Sequence, residues 1–246
     1  MITFYDIAAK PPIKTLSANT WKTRFVLNYK KLPYNTVYLL FADIQKEFIR
    51  VGIPSREVPG SGTVYTCPSI LDHSNNTPVT ESFEIALYLD KTYPDTPKVI
   101  PPGTEALQAS FHERLNGVMG PLFPFLLPLI PTVLHPGSSE YFSQSREKAF
   151  GKPLADMEPK GEERVKAWKQ VQAAFDTLHG WLNKSPGPYF MGESATFADF
   201  VLGGLLFTLE LAFGENSQEW KDIMTWNNGE WAAYKKSLEQ YAATDN

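Results

Sequence analysis

The chain has 246 residues, of which 43% are hydrophobic and 20% charged, and its formal net charge is −4. That size and balance describe a folded protein of one large or two modest domains, not a disordered chain. Mild acidity without a basic block argues against nucleic acid as the main partner. The single cysteine, Cys67, excludes an internal disulfide and any CxxC zinc or redox site. No positively charged lead followed by an apolar core opens the chain, so no signal peptide is expected and the cytoplasm is the expected location.

Residues 1–93 alternate strand and helix signals. Residues 2–5 read as a short strand. Residues 21–31 read as a helix, because Trp21, Phe25, Val26 and Tyr29 recur at three- and four-residue steps. Residues 36–40 read as a second strand, and residues 43–65 as mixed and loop-rich. A third strand starts at residues 69–71, Asn75-Asn76 signals a hairpin turn, and residues 82–91 form an amphipathic helix. The order is that of a small α/β layer.

Two dipeptides in this half carry the chemistry. Cys67-Pro68 reads as a proline at the mouth of a strand, where its missing N–H costs nothing. If that peptide bond is cis, Cys67 turns its own N–H and C=O outward, free to pair with a ligand backbone. Glu81-Ser82 opens a helix, whose free N–H groups and dipole suit a carboxylate, while the Glu81 side chain suits an ammonium. The two together suit a peptide held by its main chain and its amino-acid end.

Residues 94–103 contain Pro94, Pro97, Pro101, Pro102 and Gly103, a density that stops helix and strand alike. The expected division is therefore a first domain over 1–94, a linker over 95–103 and a second domain over 104–246. No strand is expected beyond residue 104. Helices are expected over 104–118, over 162–183, where Val165, Trp168, Val171, Phe175, Leu178 and Leu182 repeat, over 196–213 and, as one or two helices, over 220–241. The 196–213 segment is apolar on nearly all sides, which marks a buried central helix, and Thr196-Phe197-Ala198-Asp199 opens it as a capping box. Residues 135–160 read as a long loop or a poorly anchored helix.

Residues 118–134 imitate a membrane span, but they include Pro121, Pro124, Pro128 and Pro131 and fall short of the roughly 20 residues a spanning helix needs. A bent helix with an apolar wall is expected instead. Phe111, Met119, Leu122, Phe123, Phe125 and Leu126, on or after the first helix of the second domain, are candidates for lining an apolar, aryl-binding wall, each weighed against plain core packing. His73, His112, His135 and His179 lack ligand spacing, so no metal is expected.

The proline turn, the Glu81-Ser82 pair and the Thr-Phe-Ala-Asp cap, in this order, resemble the cytosolic glutathione transferases over essentially the whole chain. Residues 2–6, 16–24 and 86–94 are most similar to the fungal etherase-related class, often called FuA. The resemblance implies an α/β thioredoxin-like N-terminal domain, an all-α C-terminal domain, and glutathione as co-substrate. It implies that Ser17, at the start of the first helix, donates a hydrogen bond that favours the glutathione thiolate, with Asn19 and Thr20 on the same turn as alternatives and Tyr5 as an outsider. It implies glutathione contacts at Ser17, Asn19, Arg56, Cys67, Pro68, Glu81 and Ser82, with Lys46 and Arg50 as alternatives to Arg56 for the glycine carboxylate. Cys67 departs from the valine or leucine usual before this proline, and its thiol reads as inert.

The expected function is that of a serine-type glutathione transferase acting on hydrophobic or aromatic electrophiles by conjugation, thiolysis of activated esters or ether cleavage, with peroxide reduction also open. The alternative is a non-catalytic ligandin for aromatic or phenolic molecules. A homodimer through helices 82–93 and 104–118 is implied, without nucleic acid or membrane.

Overall fold

The protein is described by a computed structural model that covers residues 1–58 and 62–244. Residues 59–61 of the expected loop-rich stretch lie outside the described residues.

The chain opens with β1 (Ile2–Ile7), α1 (Ala18–Tyr29) and β2 (Tyr34–Leu39). β2 pairs parallel to β1, with α1 as the crossover. Next come α2 (Ile44–Val51), then β3 (Arg56–Val58) and β4 (Gly62–Val64), which form their own antiparallel ribbon. The stretch read from sequence as loop-rich thus holds a helix and two strands. Each is short, and only Ile44 and Phe48 of α2 are buried, too few to set up a visible period. β5 (Ser69–Asp72), β6 (Thr77–Thr80) and α3 (Ser82–Thr92) close the layer, with strand order β2-β1-β5-β6. Asn76 turns the β5–β6 hairpin at φ 55°, a left-handed position that asparagine tolerates.

Helices alone follow: α4 (Glu105–Val118), α5 (Phe123–Leu126), α6 (Ile130–Val133), α7 (Pro136–Phe150), α8 (Gly161–Leu182), α9 (Phe197–Phe213) and α10 (Gln218–Leu238). Residues 118–134 are not the single bent helix expected: their prolines, most in the first turn of a piece, break the stretch into short separate turns. Residues 135–160 are not a loop. α7 starts with Pro136 in its first turn, is capped by His135 Nδ1 accepting from the Gly137 N–H at 3.2 Å, and ends at Gly151 with φ 70°. It buries only Ser138 and Phe142, so no apolar stripe announces it. α10 is interrupted at residues 226–229, where Asn227, Asn228 and Gly229 all take positive φ. Among the described residues no helix is long and apolar enough to cross a membrane.

The proline-rich segment between α3 and α4 is anchored. The Asp90 carboxylate accepts the N–H groups of Val99 and Ile100, and Lys30 Nζ donates to it at 2.7 Å. Val99 in turn accepts from the Phe197 N–H at 2.8 Å, at the start of α9.

α9 is the hub. Its capping box forms as the Thr-Phe-Ala-Asp pattern implies: Asp199 accepts from the Thr196 N–H at 2.8 Å, and also from the Phe190 N–H and the Tyr234 hydroxyl. Phe200 and Phe207 pack on Phe25 of α1, and Phe207 also meets Trp21. This close crossing depends on Gly203 and Gly204. A Cβ on Gly204 would lie 2.5 Å from the Ala18 carbonyl oxygen, and one on Gly203 would lie 2.6 Å from Leu238. The central all-round apolar helix therefore grips the first turn of α1, where the site begins.

Candidate active site

Ser17 is the N-cap of α1, at φ −68° and ψ 127°. Its Oγ accepts from the Asn19 N–H at 3.2 Å, which uses one lone pair and leaves the hydroxyl proton with no acceptor among the described residues. Two groups of α9 hold this turn from behind. Thr208 Oγ1 donates to the Leu16 carbonyl at 2.7 Å, and Gly204 admits the Ala18 carbonyl. The donor is thus fixed on a helix terminus, whose dipole favours an anion in front of it.

The Cys67-Pro68 bond is cis and leads into β5. Among the described residues neither the N–H nor the C=O of Cys67 has a hydrogen-bond partner. Both are free to extend a peptide ligand in the manner of a sheet edge. Burial pushes the Cys67 thiol well above its ordinary pKa, so it does not supply a thiolate.

Glu81 precedes α3 at φ 73° and ψ 129°. A non-glycine residue there costs of order 1–3 kcal/mol and is kept in place by its surroundings. The surroundings are visible. Its N–H donates to the Pro68 carbonyl at 3.3 Å, and its Oε1 receives Thr66 Oγ1 at 3.1 Å and Arg56 Nε at 2.9 Å. The strained turn delivers Ser82, buried, to the open N-terminus of α3.

These pieces share one cavity of about 690 Å³. Ser17, Asn19, Arg56, Cys67, Pro68, Glu81 and Ser82 all line it, as do Met119, Phe123 and Leu126 on the apolar side. Of the other expected wall residues, Phe111 packs between Trp181 and Phe190, Leu122 is fully buried, and Phe125 stands edge-on to Trp168. None of these three lines the cavity. Each faces the helical core: Phe111 from within α4, and Leu122 and Phe125 from the short turns after it. Thr20 spends its hydroxyl on the Ser17 carbonyl, and Tyr5 is buried against Phe48. Neither Tyr5 nor Thr20 lines the cavity. Lys46 is exposed on α2, and Arg50 is paired with Glu47 at 2.6 Å.

Other lining residues were not expected from sequence. Leu127, Ile130 and Leu134 extend the apolar wall, and Phe142, Arg146 and Phe150 reach it from α7. The last three stand at i, i+4 and i+8, and with Pro136 before them and Gly151 after they carried a helix signal. Lys22 and His112 also line the cavity, joined at 2.7 Å between Nζ and Nε2. Burial and the Lys22 charge lower the His112 pKa to about 4, so the ring is neutral and its Nε2 accepts from the ammonium. No group of three or more His, Cys, Asp and Glu is placed to hold a metal among the described residues.

What the arrangement can do chemically is limited and specific. It offers a hydroxyl donor and helix terminus for an anion, unpaired backbone for an extended peptide, a carboxylate and a second helix terminus for a zwitterion, and an apolar recess opposite.

Comparisons with known proteins agree with that geometry. Residues 16–92 match the family described as glutathione S-transferase, N-terminal domain, and residues 106–241 match glutathione S-transferase, C-terminal domain. The glutathione S-transferase-like protein ustS of Aspergillus flavus is 32% identical, over 94% of this chain and 87% of its own length. The glutathione S-transferase CsGST63524 of Ceriporiopsis subvermispora, solved in complex with glutathione, is 38% identical with a TM-score of 0.94, over 100% of this chain and 99% of that one. Glutathione transferase GSTFuA3 of Phanerochaete chrysosporium is 34% identical with a TM-score of 0.90, over 100% and 98%. The chain belongs to the glutathione S-transferase family, and within it to the fungal FuA class.

Proposed function

We propose that this protein is a serine-type glutathione transferase that joins glutathione to hydrophobic or aromatic electrophiles. The observation that carries the reading is the single cavity in which the Ser17 hydroxyl, the unpaired Cys67 backbone and the Glu81-Ser82 helix start face an apolar wall built from Met119, Phe123 and Leu126. Glutathione lies with its backbone along Cys67, its γ-glutamyl ammonium at Glu81 and its γ-glutamyl carboxylate at the start of α3. Its glycine carboxylate goes to Arg56.

The thiol then reaches Ser17. A free thiol with a pKa near 8.5 is only a few per cent ionised at neutral pH. The Ser17 hydroxyl donates to the sulfur and the α1 dipole favours its charge, so the thiolate fraction rises. The sulfur attacks an electrophilic carbon held against the apolar wall. A C–S bond forms and the leaving group departs with the electron pair. Conjugation, thiolysis of an activated ester and ether cleavage share this step and differ only in what leaves. Ser17 stabilises the nucleophile and forms no bond itself.

Calorimetric titration of glutathione into the wild type and Glu81→Ala tests the first half. Micromolar-to-millimolar binding that is lost in the variant supports it, and no binding in either overturns it. The second reading, a ligandin, is favoured by the apolar extension through Leu127, Ile130 and Leu134, which exceeds what a tripeptide needs. Ser17→Ala separates the two: an enzyme loses rate and keeps ligand affinity, and a carrier is unchanged in both. We also propose a homodimer through α3 and α4. Leu107, 70% exposed on α4, supports it, and sedimentation is the test.

A further inference from the structure

Lys22 is 3% exposed, yet its ammonium has only neutral partners: Asn19 Oδ1 at 2.9 Å and His112 Nε2 at 2.7 Å. Among the described residues no carboxylate lies within ion-pair distance of it. This contrasts with the other buried cations of the same half. Arg24 is paired with Asp6 at 3.0 Å and Lys30 with Asp90 at 2.7 Å. A buried charge without a counter-charge is costly, and two neutral hydrogen bonds offset only part of that cost. The strain is visible in its proton affinity, since burial lowers the Lys22 pKa to about 8.

The surroundings describe the missing ion. Lys22 opens onto the cavity together with Glu81, Ser82, His112 and Glu113. Glu81 and Glu113 are near enough to act on its charge, though neither pairs with it. An alternation of carboxylate, ammonium and carboxylate around a helix N-terminus is complementary to an α-amino acid group, whose ammonium and carboxylate sit one carbon apart. Lys22 follows Ser17 by five residues, about 7.5 Å along α1 at ~1.5 Å per residue, and its hydrogen bond to His112 draws it toward α4. Its Nζ reaches back to Asn19 on the first turn and across to α4, and the charge of Glu81, which opens α3, acts on it.

We propose that Lys22 is the counter-ion of the γ-glutamyl α-carboxylate of glutathione, held ready by Asn19 and by His112 from the helical half of the protein. The inference rests on glutathione being the co-substrate. It adds a residue that selects a γ-glutamyl peptide over a thiol lacking the amino-acid carboxylate, and it makes that selection depend on α4.

The test compares S-methylglutathione, whose capped sulfur removes any thiolate contribution, with the same molecule carrying γ-aminobutyrate in place of γ-glutamate. Both, and free glutathione, are titrated by calorimetry into the wild type, Lys22→Met and Lys22→Arg. A hydrogen bond between charged groups corresponds to about ten- to a hundredfold in affinity. The wild type should prefer the intact ligand by at least about tenfold. Lys22→Met should weaken the intact ligand by a similar factor, leave the decarboxylated one within about twofold, and so erase most of the preference. Lys22→Arg, which keeps the charge, should restore it.

Equal losses for both ligands would overturn the proposal in favour of a packing role. So would a loss seen with free glutathione but not with S-methylglutathione, which would assign the cation to the sulfur. If the wild type binds glutathione but shows no preference between the two analogues, the proposal fails while the transferase reading stands. If the wild type binds none of the three, the transferase reading itself fails.

Discussion

Arg56 Nε lies 2.9 Å from Glu81 Oε1, joining the β3–β4 ribbon to the residue that opens α3. The two are 43% and 37% exposed, so the pair stabilises the fold by less than about 1 kcal/mol. Its importance is positional, because Glu81 sits at a strained φ of 73° and its carboxylate is steered by Arg56 and Thr66. Arg56→Ala is expected to shift the melting temperature little while weakening glutathione about tenfold, as loss of one charged ligand contact would. Calorimetry on one sample and a thermal melt on another check the two halves.

Ser17→Ala is expected to lower kcat/KM by about ten- to a hundredfold, the worth of one charge-assisted hydrogen bond to a thiolate. Glutathione affinity should change by less. The pKa of the bound thiol, read from thiolate absorbance across a pH series, should rise by about 1–2 units. Loss of the Ser17 cap, whose Oγ accepts from the Asn19 N–H, should also cost about 1 kcal/mol of stability. An unchanged thiol pKa would move the role to Asn19.

Gly204→Ala should destabilise the protein by about 1–3 kcal/mol, since its Cβ meets the Ala18 carbonyl, a backbone atom that cannot rotate away. Because Ala18 follows Ser17, catalysis should fall by more than the loss of stability explains. Gly180→Ala on α8 is the control. Nothing lies within 4 Å of its Cβ, and the helix gains about 0.5–1 kcal/mol. Urea melts and initial rates on the two variants separate crowding at the site from general helix effects.

His112 links α4 to Lys22 of α1, and its pKa falls from 6.5 to about 4 in the folded state. The unfolded chain then binds more protons in that window, so stability rises with pH. The His112 contribution is complete above about pH 6.5 and is lost as pH falls toward 4. His112→Gln keeps an acceptor for Lys22 without titrating. Its melting temperature should fall less than that of the wild type between those two pH values. A parallel fall in both proteins would show that the ring is not the acid-sensitive group.

The sequence by itself determined the fold class, the buried central helix and its capping box, because hydrophobic period, proline density and cap chemistry are local properties that few residues can satisfy differently. It also pointed to Ser17, Cys67-Pro68 and Glu81-Ser82, since helix starts and strand-entry prolines are written in consecutive residues. What only the tertiary structure decided lies between distant segments. Met119, Phe123 and Leu126 reach the cavity and Phe111, Leu122 and Phe125 do not, although all six are apolar, because packing against the helical core claims the last three: Phe111 of α4 meets Trp181 and Phe190, and Phe125 meets Trp168. Arg24 and Lys22 are both buried cations of α1, two residues apart, yet one meets Asp6 and the other meets His112, ninety residues away. A cation's partner is fixed by packing across the chain. No period or motif along the sequence records it.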